Sequence, residues 1–223
     1  VACFCDSTGN YLSLLCISNM AGGYNSFLKD NDLSHNDFEQ LLNKTEPGNK
    51  GKIIIPWFSG ERTPDISNAC PLFFGFNLGE INKESLARAI LEGHILNLYQ
   101  GFERMPVQPK VIYLTGGLSK SYAWCQTIAN IFDCETIPVL GESAAIGAAI
   151  HAGWTWEKEL GKDLKLEDIS NLFIKYDDKN RCFPQLEYKD NYSMLKKLYK
   201  SVSYRIQGLE TEDPFALRSD MIK

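Results

Sequence analysis

The chain has 223 residues, of which 44% are hydrophobic and 23% charged, a composition typical of a folded globular protein. Its formal net charge of −5 argues against nucleic acid as a partner, because a phosphate backbone repels an acidic protein. No apolar run approaches the ~20 residues that cross a bilayer and no signal peptide is visible, so we expect no membrane partner and a cytoplasmic location. The sequence opens on Val1 in what reads as mid-strand, and we expect it to be part of a longer protein.

The chain contains 7 cysteines, an odd number, and several lie inside apolar runs. This pattern predicts buried, reduced thiols rather than a disulfide framework. Cys3 and Cys5 are separated by one residue instead of the two that are common in zinc sites, and no second pair follows. We therefore expect no metal site.

The first half of the chain shows a β-hairpin pattern followed by two helical patterns. Turn residues fill Asp6–Asn10 between the two strands, and Ser34 and Asp37 have the spacing of a helix-capping box. The predicted elements are strands Val1–Cys5 and Tyr11–Ile17, helices over Met20–Leu28 and from Ser34, and a buried strand over Lys52–Pro56.

An irregular stretch, Trp57–Pro71, precedes the clearest helical pattern of the chain, Lys83–Arg104. Long irregular loops in compact chains are often functional. This one contains Gly60-Glu-Arg-Thr-Pro64, whose acidic and basic side chains either form a solvated salt bridge or help to shape a cleft. His94 falls on the apolar stripe of the helix and is interpreted as a core or boundary histidine rather than a base.

Strands and helices alternate in the second half, which is typical of the α/β class. The predicted elements are strand Lys110–Thr115, helix Ser121–Phe132, strand Thr136–Val139, and helices Ser143–Ala152 and Asp190–Ile206. Gly208–Lys223 is polar with little apolar pattern, and it predicts a mobile tail.

The most informative stretch is Val111–Ser121, where an apolar, β-branched run meets Gly116-Gly117 and a helix follows. Such a turn lets a ligand approach bare backbone, and a helix N-terminus offers N–H groups to anions. The stretch is not a P-loop, because Leu114 and Ser119 stand where that motif needs glycine. A purely structural turn between strand and helix would also use glycine, and this alternative stays open.

A second helix start, Gly141–Ala149, consists mostly of small residues. Gly147 inside a helix costs about 1 kcal/mol relative to Ala, so it needs either a packing or a ligand reason. A tightly packed core helix is one explanation, a nucleotide lying across two helix N-termini is another, and both can hold at once. Neither Glu61 nor Glu142 has a visible acid/base partner, so neither is proposed as catalytic.

Five motifs, in their order and spacing, resemble the C-terminal half of an FGGY carbohydrate kinase, and their wording is closest to the xylulokinase group. The motifs are Gly60-Glu-Arg-Thr-Pro64, Phe73-Phe-Gly-Phe-Asn-Leu-Gly79, Leu86-Ala-Arg-Ala-Ile-Leu-Glu-Gly93, Thr115-Gly-Gly-Leu-Ser-Lys-Ser121 and Glu142-Ser-Ala-Ala-Ile-Gly-Ala-Ala149. The resemblance covers roughly Val1 to Trp156.

The resemblance implies an α/β fold: an actin-like (ribonuclease H-like) ATPase domain, with a mixed sheet flanked by helices, forming the second half of a two-domain sugar kinase. We expect a nucleotide-binding domain over residues 1–156, truncated at its N-terminal side. A helical extension over 157–207 and a mobile tail over 208–223 complete the expected organisation.

ATP or ADP is the ligand that the resemblance places on this half. The implied contacts are Gly116 and Gly117 beside the adenosine and phosphates, Leu118 against the adenine, Ser121 at the helix start, and Gly22 and Ser26 on the purine side. The family usually has Gly or Ala where this chain has Leu118, and the larger side chain either packs on the adenine or narrows its pocket.

The catalytic Asp is expected in an N-terminal kinase domain outside this chain, so the chain itself supplies no catalytic residue and is expected to be inactive alone. Mg²⁺ is expected to be held through the phosphates and that N-terminal half, with the sugar in the cleft between the domains. The implied reaction is ATP-dependent phosphorylation of a ketose such as xylulose. A non-catalytic ATP- or ADP-binding module and an interaction domain whose glycines serve packing are the alternatives, and a homodimer is left open.

Overall fold

A computed structural model of the chain describes residues 2–6, 8–105, 107–141 and 143–222. The chain divides into two compact units. The first unit consists of Val1–Gln108, Asn130–Phe132 and Gln185–Lys223, and the second of Pro109–Ala129 and Asp133–Pro184.

The described residues form six strands and eight α-helices. The strands are β1 (Ala2–Cys5), β2 (Tyr11–Leu14), β3 (Ile53–Ile55), β4 (Leu72–Phe74), β5 (Val111–Leu114) and β6 (Glu135–Pro138). The helices are α1 (Met20–Asp30), α2 (His35–Leu42), α3 (Lys83–Phe102), α4 (Tyr122–Phe132), α5 (Ser143–Glu159), α6 (Leu166–Phe173), α7 (Lys189–Ile206) and α8 (Pro214–Met221).

The core of the first unit is built around α3, which contacts β3, α1, α2 and α7. The three isoleucines of β3 are fully buried, and β3 pairs antiparallel with β4. Gly93 lies where α3 crosses β3, and a Cβ at this position would collide with the backbone carbonyl oxygen of Ile54. The glycine therefore sets how closely helix and strand approach.

The N-terminal hairpin pairs β1 with β2 antiparallel, with Cys3 opposite Ser13. This confirms the predicted hairpin, except that its second strand ends at Leu14 instead of Ile17. Every residue of both strands is exposed. Val1 and Ser7, which belong to the predicted strand and turn, lie outside the described residues.

In the second unit, β5 and β6 pair in parallel, and α4 lies between them in the chain. Cys125, Ala129 and Cys182 form a buried cluster against which Leu114 packs. Thr136 in β6 donates its hydroxyl to the carbonyl of Cys125 (3.0 Å), which ties the strand to the helix. Parallel and antiparallel strand pairs thus both occur in the chain.

Helices α1, α2, α3, α4 and α7 confirm the predicted helical patterns to within a few residues, and Ser34 and Asp37 form the predicted capping box. Strand β4 and helix α6 lie where no element was predicted. Helix α8 falls inside the segment 208–223, for which the sequence predicts a mobile tail. Its local cause is Asp213, which accepts a hydrogen bond from the Phe215 amide, followed by Pro214 in the first turn.

The seven cysteines are free thiols; Cys125, Cys134 and Cys182 are buried, whereas Cys3, Cys5 and Cys70 are exposed. The prediction of buried thiols therefore holds for only part of the set. Across the described residues, no helix combines the length and apolarity required to traverse a bilayer.

Candidate functional site

The turn between β5 and α4 presents exposed backbone. Thr115, Gly116 and Gly117 are all exposed, and Gly116 has φ 90° and ψ −169°, a conformation that L side chains rarely adopt. Gly117 begins a short 3₁₀ turn that runs to Lys120. Apart from its chain neighbours, no described atom would lie within 4 Å of a Cβ at Gly117. Packing within the chain therefore does not require a glycine at 117.

Hydrogen bonds beneath this turn fix its shape. The buried Ser119 donates its hydroxyl to the Gly116 carbonyl (2.8 Å), and the Cys125 thiol donates to the Ser119 carbonyl (3.3 Å). Ser121 is the N-cap of α4, where its hydroxyl accepts a hydrogen bond from the Trp124 amide (3.4 Å). Leu118 is half-buried and follows the exposed glycines directly. The four predicted contacts of this turn thus lie within one ordered turn of the second unit.

Helix α5 does not have the surroundings of a tightly packed core helix. Its small residues Ala144, Ala145, Gly147 and Ala148 are exposed, and a Cβ at Gly147 would have no described atom within 4 Å outside its own helix and chain neighbours. Packing against the described residues therefore does not account for Gly147. Gly141 has φ 87°, a conformation that L side chains rarely adopt, whereas Glu142 lies outside the described residues.

In the first unit, Gly22 and Ser26 lie on the exposed side of α1, one helical turn apart. Around Gly22 a Cβ would have open space. Gly23 is different: a Cβ there would sit 2.7 Å from His94 Nε2 and 2.8 Å from a Phe58 ring carbon. Of two adjacent glycines, one is thus explained by packing and the other is not.

His94 is fully buried, as the sequence predicts. Its Nδ1 faces the Ile90 carbonyl oxygen at 2.7 Å and its Nε2 faces the Asn19 carbonyl oxygen at 3.2 Å. Burial lowers its pKa, although both carbonyls favour the protonated ring. The ring therefore connects α3 to the start of α1 and is not arranged as an exposed base.

Glu61 does not form the solvated salt bridge that the sequence left open. Its side chain is 4% exposed, and among the described residues no Lys or Arg forms an ion pair with it. Backbone and side-chain amides surround the carboxylate instead, among them the Ser18 amide at 2.7 Å. No grouping of three or more His, Cys, Asp or Glu side chains among the described residues has the arrangement of a metal site.

The comparisons with known proteins agree with this geometry. The sequence profile of the FGGY family of carbohydrate kinases, C-terminal domain, matches residues 8–156. The chain belongs to the FGGY family of carbohydrate kinases. A xylulose kinase of Haemophilus influenzae is 29% identical over 203 residues, which are 89% of this chain and 40% of that protein. A gluconokinase of Bacillus licheniformis is 30% identical over 179 residues, 78% of this chain and 33% of that protein.

Among solved structures, the ligand-bound xylulose kinase of Lactobacillus acidophilus superimposes with a TM-score of 0.80 at 26% identity, covering 92% of this chain and 42% of that one. The expected fold, an actin-like ATPase domain of an FGGY kinase, is confirmed. The chain spans at most about two fifths of the length of these relatives.

Proposed function

We propose that this chain is the nucleotide-binding part of an ATP-dependent sugar kinase. The observation that carries the proposal is the exposed Gly116–Gly117 turn of a family member, because the space next to Gly117 is open and no packing within the chain explains the glycine. A bound nucleotide gives that space a purpose. The alternative in which all these glycines serve packing is disfavoured at Gly22, Gly117 and Gly147, which no described side chain covers.

In this proposal the backbone of Gly116 and Gly117 lies along the adenosine and phosphates, and the Ser121 hydroxyl lies at the helix start that faces them. Leu118 packs against the adenine. Gly22 and Ser26 are proposed for the purine side on the family resemblance and on their exposure. A negative charge at a helix N-terminus is stabilised by about 0.3–1 kcal/mol at an exposed site.

Phosphoryl transfer depends on positioning and charge neutralisation more than on covalent help from the protein. Mg²⁺, when bound, neutralises charge on the phosphate oxygens, and we propose that it is held through them and through the rest of the intact enzyme. The group that takes the proton of the sugar hydroxyl is likewise assigned to the part of the enzyme outside this chain. The chain alone is therefore proposed to bind nucleotide without catalysing transfer.

The sugar is proposed to be a ketose, with xylulose first, because xylulose kinases recur among the relatives that cover most of the chain. Gluconate is the second candidate, favoured by gluconokinases that match at 30% and 35% identity. A non-catalytic nucleotide-binding module is the remaining alternative.

Calorimetric titration with ADP tests the nucleotide site. In a thermal unfolding experiment, ADP at 100 times its dissociation constant is expected to raise the free energy of unfolding by about 2.7 kcal/mol. Gly117→Val is expected to abolish this binding with little change in the fold, because its side chain fills the open space. Gly153→Val is the matched control, since Gly153 is an exposed glycine of the same unit with equal room for a Cβ. Wild-type affinity in the Gly117 variant would contradict the site.

Turnover distinguishes the kinase from the module. The chain is produced together with the protein segment encoded immediately upstream of it, and ADP release is measured with xylulose and with gluconate. Release that depends on one sugar supports the kinase and identifies the substrate. Nucleotide binding without turnover on either sugar favours the module.

A further inference from the structure

The Gly60-Glu-Arg-Thr-Pro64 loop has no role in the proposed nucleotide contacts, yet it contains a buried carboxylate with an unusual set of partners. Glu61 Oε1 accepts hydrogen bonds from the backbone amides of Ser18 (2.7 Å) and Arg62 (2.8 Å). Its Oε2 accepts from the side-chain amides of Asn97 (3.0 Å) and Asn19 (3.4 Å). Four N–H donors thus converge on one carboxylate, and such charge-assisted bonds are the strong ones.

The direction of these bonds is fixed by the groups behind Asn97. The Asn97 side-chain oxygen accepts from the Trp57 indole N–H (3.0 Å) and from the Tyr199 hydroxyl (3.3 Å). Its NH₂ group must therefore point towards Glu61. Position 61 therefore needs a side chain that accepts hydrogen bonds at both terminal atoms. A glutamine there would place its NH₂ group against the NH₂ group of Asn97.

The same carboxylate is hydrogen-bonded to the two residues that precede α1, Ser18 and Asn19. Asn19 is the residue before that helix, but its side chain makes no capping bond to it. Instead it accepts from the Ser59 amide (3.2 Å) and donates to the Gly60 carbonyl and to Glu61. Together with the bond from Ser18, these bonds attach the two residues before α1 to the loop.

We propose that Glu61 is a positioning residue for the nucleotide site: it fixes the start of α1 and thereby places Gly22 and Ser26. This inference rests on the proposed function, since α1 matters here only if its exposed side meets the nucleotide. Glu61 is buried and offers little surface to a ligand. Its effect on affinity passes through Ser18 and Asn19, which directly precede the helix.

The test compares Glu61→Gln with Glu61→Gln/Asn97→Asp. In the single variant two NH₂ groups face each other, and the dissociation constant for ADP is expected to rise about tenfold, the equivalent of one charged hydrogen bond. In the double variant the carboxylate introduced at position 97 accepts from Trp57, from Tyr199 and from the NH₂ group introduced at position 61. The side-chain oxygen at position 61 still accepts from Ser18. The NH₂ group at position 61 still faces that of Asn19, so one bond of the four stays unrestored. The affinity is therefore expected to recover most of the loss, to within about threefold of the wild type.

Calorimetric titration of the full 223-residue chain with ADP gives the dissociation constants, and Glu103→Gln controls for the loss of a carboxylate on the surface of the same unit. A folded Glu61→Gln variant with wild-type affinity would overturn the inference. So would a folded double variant that does not recover, and this arm decides the matter if the single variant fails to fold. A wild-type chain that binds no ADP refutes the proposed function instead, so the two failures are distinguishable.

Discussion

Gly93 in the first unit and Gly117 in the second have opposite surroundings, although both lie in the segment that the family profile matches. A Cβ at Gly93 would collide with the backbone of β3, whereas a Cβ at Gly117 would enter open space. The interior around α3 is filled with groups that fix one another, while the β5–α4 turn presents backbone outwards. Packing within the chain therefore accounts for the glycine at 93 and does not account for the glycine at 117.

Among these tests, Gly93→Ala is expected to have the largest effect, because it probes the tight packing of α3 against β3. The added methyl group meets a backbone oxygen, which cannot rotate away as a side chain does, so we expect a loss of about 3 kcal/mol or more in the free energy of unfolding. Urea denaturation followed by circular dichroism measures it. Gly153→Ala is the control, and it should gain up to about 1 kcal/mol because that helical glycine is unpacked. If the two substitutions changed the free energy of unfolding equally, the distinction between packed and unpacked glycines would not hold.

The neighbouring Glu92 shows that the interior around α3 also buries a carboxylate. It is fully buried, its Oε1 accepts from the Gly48 amide (2.8 Å) and the Tyr192 hydroxyl (3.1 Å), and Arg88 Nη1 lies 4.0 Å away. Among the described residues its Oε2 has no hydrogen-bond partner. Burial raises the pKa of Glu92 from 4.5 to about 7, against the opposing effect of Arg88. The folded chain therefore binds this proton more tightly than the unfolded chain.

The sign of the pH effect follows from that raised pKa. Below about pH 4.5 Glu92 is protonated in both the folded and the unfolded chain, and its contribution to the free energy of unfolding is fully present. That contribution is lost as the pH rises towards and past 7. Relative to Glu92→Gln, the wild type is expected to lose about 1–3 kcal/mol of stability between pH 5 and pH 8, at about 1.4 kcal/mol per pKa unit. Urea denaturation of both proteins at four pH values provides the measurement. Parallel stability curves would mean that Glu92 is not closed off from water.

Elements with a periodic or capping signal could be predicted from the sequence. The Ser34–Asp37 box and the apolar stripe of α3 are examples, and both have a local cause. Strand β4 could not be predicted, because three residues between Pro71 and Gly75 are too few to show a period. In α8 the signal was confined to Asp213 and Pro214, and its packing comes from distant residues: Arg218 donates to the Gly75 carbonyl.

The candidate site divides in the same way. The Gly116–Gly117 turn was predictable because the strand before it and the helix after it are both visible in the sequence. The role of Glu61 was not, since its partners Ser18 and Asn97 are 43 and 36 residues away along the chain. A lone carboxylate in a loop looks identical whether it is solvated or buried, and only the fold decides between the two.

The finest test of the comparison uses two adjacent glycines of α1. Gly23→Ala places a methyl group against His94 and Phe58, and the Phe58 ring can yield, so a loss of about 1–2 kcal/mol is expected. Gly22→Ala adds the same group in open space and should gain about 0.5–1 kcal/mol from helix propensity. If Gly22 faces the nucleotide as proposed, this more stable variant should bind ADP less tightly, as thermal unfolding with and without ADP would reveal. Stability and affinity that rise together would instead place the ligand away from this side of α1, and the open space at Gly22 would need another explanation.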